Sequence, residues 1–245
     1  MELQILYEDA DVVAVAKPAG LITHSDGRTK EETAEDWFKE KYEGGLASPK
    51  PCGGGYVHRL DRDTSGVLVF AKNASAYEFL RKAFHNRDIQ KTYIAIVYGV
   101  PKAKKGVIDF DIGRSRQDFR LRSAQPKAKG RLRDALTRYE VIGEVEGYAL
   151  MRLNPETGRT HQIRVHLKAI HHPIVCDSLY APGLSKSKAI GNKPQSLGTP
   201  NLGLSRLALH ASTLNIPLPS GGRTTIEAPI PEDLSVALAH FPTAC

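Results

Sequence analysis

Cysteine is scarce: there are three in 245 residues, and Cys52, Cys176 and Cys245 stand far apart. An odd count without C-x-x-C spacing offers neither a disulfide framework nor a zinc site, and it points to a reducing compartment. Long apolar runs are absent too. None reaches the roughly 18 residues that a membrane span needs, and Met1-Glu2-Leu3-Gln4 lacks the basic start of a secretory leader. A cytoplasmic protein with no membrane partner is expected. There is no internal repeat, no glycine-rich phosphate loop and no metal-ligand cluster. His161 and His166 are five apart, whereas two metal ligands on one helix face stand four apart. No metal and no cofactor are expected. Acidic residues are the last shortage: 27 Asp and Glu face 34 Lys and Arg, a net charge of +7. A basic excess suggests an anionic partner, most often nucleic acid.

What is present fits a globular chain. Apolar residues make up 41% and charged residues 25%, and the length suffices for one sizeable core. The whole chain, 1–245, is read as one domain acting as a monomer. The positive charge is concentrated. Between residues 102 and 138 twelve Lys or Arg face four Asp, a local net of +8. Periodicity there is poor, so this basic arm reads as an extended hairpin that contacts phosphates, with Arg116, Arg120 and Arg122 as candidates. No base-reading pattern is visible, so specificity would come from nucleic-acid shape and unpaired loop bases.

The elements follow from pattern. Leu3 to Tyr7 and Val12 to Ala16 read as strands joined by an acidic turn. Thr33 caps a helix to Tyr42, with Trp37 as a packing residue, and Asn73 caps another to about Arg87. Residues 91–100, 134–141 and 148–153 read as strands, the last two forming a hairpin. Thr160 is taken as the cap of a helix carrying Ile163, Leu167 and Ile170, stopped by Pro173. Residues 180–204 read as a polar loop of variable length. A hairpin to Glu227 and a short helix from Pro231 to His240 close the chain.

One stretch is unlike the rest: Tyr56-Val57-His58-Arg59-Leu60-Asp61-Arg62-Asp63-Thr64-Ser65-Gly66, followed by the apolar run Val67 to Ala71. The run is a buried strand. Its mouth holds alternating guanidinium and carboxylate groups, more than a turn requires. Positive charge beside a carboxylate favours its charged form, which suits a nucleophile or base. The wording H-R-L-D-x-x-T-S-G resembles the signature of the RluA branch of the pseudouridine synthases, and His58 in place of Gly separates it from the sister RsuA branch. Further resemblances follow in the same order: the Asp9 to His24 segment with Lys17-Pro18-Ala19-Gly20, K-x-Y-x-A-x-V-x-G around Tyr93, G-R-T-H-Q-I-R-V-H around Arg164, His172-Pro173-Ile174-Val175-Cys176-Asp177 with Cys where Gly is usual, and Leu207 to Ala211.

The resemblance implies an α+β fold: a mixed, mostly antiparallel sheet flanked by helices and loops, with an active-site cleft across the sheet. It also implies isomerisation of a uridine within ribosomal or transfer RNA. Asp61 would be the catalytic residue, either attacking the anomeric carbon or removing the neighbouring proton. Arg164 would pair with Asp61. Tyr93 would stack on the uracil, with Ile163 beneath it, and Arg59 would fill the gap left by the flipped base. His58, Arg62 and Thr64 join the RNA-binding candidates, and Lys17 is a secondary one. No room remains for an amino-terminal S4-type module. Two other classes compete. A hydrolase using Asp61 and Asp63 would lack a proton donor. A non-catalytic RNA-binding or ribosome-assembly protein would have no use for a carboxylate beside phosphates.

Overall fold

The computed structural model describes residues 1–25, 27, 30–42, 55–116, 118, 121–124, 126, 128–183, 189–190, 193–194 and 202–242. In chain order its elements are β1 (Gln4–Glu8), β2 (Val12–Lys17), α1 (Ala34–Lys41), β3 (Ser65–Ala71), α2 (Ala74–His85), β4 (Gln90–Tyr98), β5 (Lys105–Asp109), β6 (Ile112–Ser115), β7 (Arg122–Ala124), β8 (Ala128–Arg133), β9 (Leu136–Val145), β10 (Tyr148–Pro155), α3 (Gln162–Ala169), β11 (Ala189–Ile190), β12 (Lys193–Pro194), β13 (Leu209–Pro217), β14 (Arg223–Glu227) and α4 (Glu232–Leu238). The fold is α+β, and its strand pairings are mostly antiparallel. No helix among the described residues is long and apolar enough to cross a membrane. The chain divides into two compact units, Met1–Lys91 with Ala211–Ile230 and Thr92–His210 with Pro231–Cys245.

In the first unit β2 and β3 are buried on both faces, which is why they read as continuous apolar runs. Successive side chains alternate. Val12, Ala14, Val67 and Val69 face Ala76 and Leu80 of α2, together with Leu214, Ile216 and Ile226. Val13, Val15, Leu68 and Phe70 face Trp37 and Phe38 of α1. Asp9 shapes the β1–β2 turn by accepting from the backbone N–H of Asp11 and of Val12 at 2.8 and 2.7 Å. The helices start where their caps predict. Thr33 and Asp36 form a reciprocal capping box on α1, and Asn73 accepts from the Ala76 N–H at the head of α2.

The second unit orders its strands β4-β10-β9-β5. β9 and β10 form the expected hairpin, tighter than the sequence suggests, since Val145 already pairs with Tyr148. The basic arm folds as β5 and a separate sheet in the order β7-β6-β8. The helix carrying Arg164 is present, but Thr160 does not cap it. His161 stands at its start with φ 57° and makes no side-chain cap. The buried Gln162 secures the turn instead. Its Oε1 accepts from the Thr157 hydroxyl and the Arg159 N–H, and its Nε2 donates to the Leu136 carbonyl and the Thr137 hydroxyl. The 43–54 loop and most of 180–204 lie outside the described residues.

Gly66 is the tightest point of the first unit. Its φ is 127°, and a Cβ there would stand 2.2 Å from the Ala211 carbonyl oxygen and 2.6 Å from its nitrogen. Gly66→Ala should therefore force β3 away from β13 and cost about 3 kcal/mol, read as a lowered urea midpoint. An unchanged midpoint would show that this approach constrains nothing.

Candidate active site

The loop from Tyr56 to Thr64 enters β3 and is tied down on both sides of Asp61. Leu60 is buried; its N–H donates to the Thr23 hydroxyl at 3.2 Å, and its carbonyl accepts from that hydroxyl at 2.9 Å. The Arg62 carbonyl accepts from the Gly20 N–H at 2.9 Å and from Lys17 Nζ at 3.0 Å. Lys17 is only 1% exposed, and its ammonium also donates to the carbonyls of Pro18 and Leu21. A buried ammonium needs such oxygens. Lys17, read from sequence as a secondary site candidate, is a fastener for this loop. The Thr64 N–H donates to the Asp61 carbonyl at 3.1 Å and closes the turn. Asp61 itself is half-buried.

The other candidates in this loop divide. Arg59 is exposed, with Nη1 3.4 Å from Nε2 of His24, whose ring stacks on Tyr56. Arg62 turns away from Asp61: its guanidinium donates to the Gly20 carbonyl and pairs with Glu31 at 2.8 Å. His58 holds the loop to β3. Its Nε2 accepts from the Val69 N–H at 3.1 Å, and the ring stacks on Phe84. Burial, and then the charge of Lys91, push its pKa down to about 3. The imidazole is therefore neutral at ordinary pH and already occupied as an acceptor.

In the second unit Tyr93 lies half-buried on β4, opposite Leu153 of β10. Ile163 is buried near the start of α3. Arg164 is 4% exposed, and its Nε and Nη2 donate to Oδ2 and Oδ1 of Asp177, each at 2.8 Å. This is the parallel fork geometry that makes arginine–carboxylate pairs strong. Asp177 Oδ1 also accepts from the backbone N–H of Leu179 and of Tyr180. The sequence places Asp177 at the end of its turn and gives it no role. Nothing local distinguishes it from a solvated turn carboxylate. In the same turn Cys176 has φ 58°, so the left-handed conformation that glycine favours survives without glycine.

The arm's charge is less free than composition suggests. Lys104, Lys105 and Arg138 pair with Glu144, Glu140 and Glu156. Arg114, Arg116, Arg122, Lys129, Arg131 and Arg133 have no carboxylate partner among the described residues, and all but the half-buried Arg122 are exposed. Across the small sheet Arg114 stands directly opposite both Arg122 and Lys129. Three cations in one cross-strand row repel one another, and an anion laid over them would relieve that. Arg120 and Lys127 lie outside the described residues.

A family model described as RNA pseudouridylate synthase matches residues 11–169. The chain is 36% identical over 248 residues to an "Uncharacterized RNA pseudouridine synthase" of Chlorobaculum parvum, covering 98% of this chain and 75% of that one. It is 37% identical over 233 residues to the "Ribosomal large subunit pseudouridine synthase D" of Xanthomonas campestris, covering 95% of this chain and 67% of the other. The chain belongs to the RNA pseudouridine synthases. Its fold agrees: the solved structure titled "Human RNA Pseudouridylate Synthase Domain Containing 1" superposes with a TM-score of 0.73 at 25% identity, covering 99% of this chain and 89% of that one. As a member of this family the synthase is an isomerase.

The neutral His58 of the synthase gives a pH dependence whose sign is fixed. Its folded pKa lies below the unfolded value, so the unfolded chain takes up a proton first as pH falls below about 6.5. Its contribution is fully present above that pH and is lost toward pH 3, by at most about 1.4 kcal/mol per pH unit. Burial lowers the pKa of His166 as well and adds in the same direction. Urea unfolding between pH 7 and 5 should show falling stability, with a shallower slope for His58→Gln. Identical slopes would contradict the assignment.

Proposed function

We propose that this synthase converts specific uridines of a structured RNA to pseudouridine, that it belongs with the RluA branch, and that it acts in the cytoplasm. The observation that carries the reading is the Asp61 loop: a half-buried carboxylate whose two neighbours are both fastened by backbone bonds, in a chain of this family. Such preorganisation is what a reacting group needs, since a misplacement of about 1 Å costs about a hundredfold in rate. Relatives named for the ribosomal large subunit favour ribosomal RNA as the substrate class, with transfer RNA as the second choice.

The roles follow the chemistry of the rearrangement. The target base has to leave its stack, which costs a few kcal/mol and is cheapest in a loop. Arg59, exposed beside the Asp61 loop, takes the place of the base. Asp61 acts on the ribose. Tyr93 and Ile163 hold the detached uracil against diffusion, and Arg164 supplies the positive charge that keeps Asp61 ionised. The cations on β6, β7 and β8 take the RNA backbone.

Pseudouridine mapping in ribosomal and transfer RNA, from cells with and without the gene, tests this reading directly; no missing modification would sink it. Asp61→Asn should lower isomerisation at least about 10³-fold while RNA affinity stays within about twofold. Replacing Arg114, Lys129 and Arg131 together by Gln should weaken binding and flatten log Kd against log salt by about two, near 0.7 per lost single-strand phosphate contact. A slope that does not move would place the RNA elsewhere.

A further inference from the structure

Two residues of α3 and the histidine that precedes it converge on a single phenol. His161 Nδ1 lies 2.8 Å from the Tyr180 hydroxyl. The Arg164 guanidinium lies over the Tyr180 ring, 5.1 Å from its centroid, and Lys168 Nζ lies over it at 5.6 Å. Arg164 and Lys168 are four apart on α3, so both reach the same ring. On its other side the hydroxyl accepts the backbone N–H of Arg122, on β7, at 2.9 Å. The ring is 3% exposed, in a cluster with Ile112 of β6, Ala124 of β7 and Val165 of α3. Asp177, which clamps Arg164, also accepts the Tyr180 backbone N–H.

We propose that Tyr180 is a positioning residue that couples the basic sheet β7-β6-β8 to Arg164. Its hydroxyl holds strand β7, and so the row Arg122, Arg114 and Lys129, at a set distance from α3. Its ring supports the face of the guanidinium that Asp177 orients from the edge. A phosphate drawn onto the row and the Arg164 guanidinium are then referenced to one side chain. The polar half and the aromatic half of Tyr180 have separable tasks, so they fail separately. The reaction half of this inference rests on the isomerase mechanism proposed above; the RNA-binding half does not.

The experiment compares Tyr180→Phe with Tyr180→Leu in the full chain. The Phe variant keeps the ring and loses the hydroxyl bonds to Arg122 and His161. It should raise Kd for a substrate RNA, and KM, about fivefold with kcat within twofold. The Leu variant removes the support of Arg164 as well, and should lower kcat about tenfold further. His161→Phe, which removes one hydroxyl partner and leaves the Tyr180 ring in place, should move Kd in the same direction. Amide exchange at residues 121–124 should rise in Tyr180→Phe and leave β1 to β3 unchanged. Unchanged Kd and KM in Tyr180→Phe would overturn the proposal. So would an equal loss of kcat alone in both variants, the mark of a merely unstable fold. If the unsubstituted protein forms no pseudouridine, the proposed function fails, but Kd and exchange at 121–124 still decide the role of Tyr180.

Discussion

An ammonium ion withdrawn from water has to be met by oxygens, and in the first unit that demand organises the chain around Asp61. Lys17 ends the buried strand β2, so its side chain cannot reach solvent. It draws the carbonyls of Pro18, Leu21 and Arg62 to itself, and Gly20 and Thr23 add bonds from the same turn to Arg62 and Leu60. The Lys17-Pro18-Ala19-Gly20 turn and the Asp61 loop thereby become one piece of structure. Each bond is modest, about 1 kcal/mol net, but a missing partner would leave a buried charge or carbonyl unsatisfied at a larger cost. The residues on either side of Asp61 hold the loop backbone in place.

The second unit handles positive charge in two opposite ways. Arg164 is buried, and a buried guanidinium persists only with a partner; the fork onto Asp177 supplies one, and two backbone N–H groups hold Asp177 in turn. Arg114, Arg122 and Lys129 are placed side by side with no carboxylate to separate them. Such a row weakens an isolated sheet, and its value lies in an anion from outside. Lys104, Lys105 and Arg138 of the same segment are tied to Glu144, Glu140 and Glu156, so composition overstates the charge available to RNA.

Neutral imidazoles complete the scheme. His58 accepts from Val69, and His166 bridges the Phe110 carbonyl and the Thr137 hydroxyl. Burial lowers the pKa of both, and for His166 it outweighs the pull of the Phe110 carbonyl and of Asp109. A histidine at the head of a charged motif invites a substrate-binding role. The structure gives His58 an architectural one, since its acceptor nitrogen and one ring face are already in use.

Local physics was legible in the sequence. The caps Thr33 and Asn73, the apolar runs of β2 and β3 and the hairpin of β9 and β10 depend on residues within a few positions of one another, and each was read correctly in kind. The order of the motifs was legible as well, and with it the family. The partners of the charged groups were not. Arg164 meets Asp177 thirteen positions on, and Lys17 meets the Arg62 carbonyl forty-five positions on. Arg62 turns to Glu31, and a tyrosine at the head of a polar stretch is buried beneath a helix. Sequence determines which residues can bury surface, cap a helix or carry charge, because those are properties of a residue and its near neighbours. Which oxygen a given cation meets is decided only when distant segments are brought within about 3 Å, and that distance exists only in the folded chain.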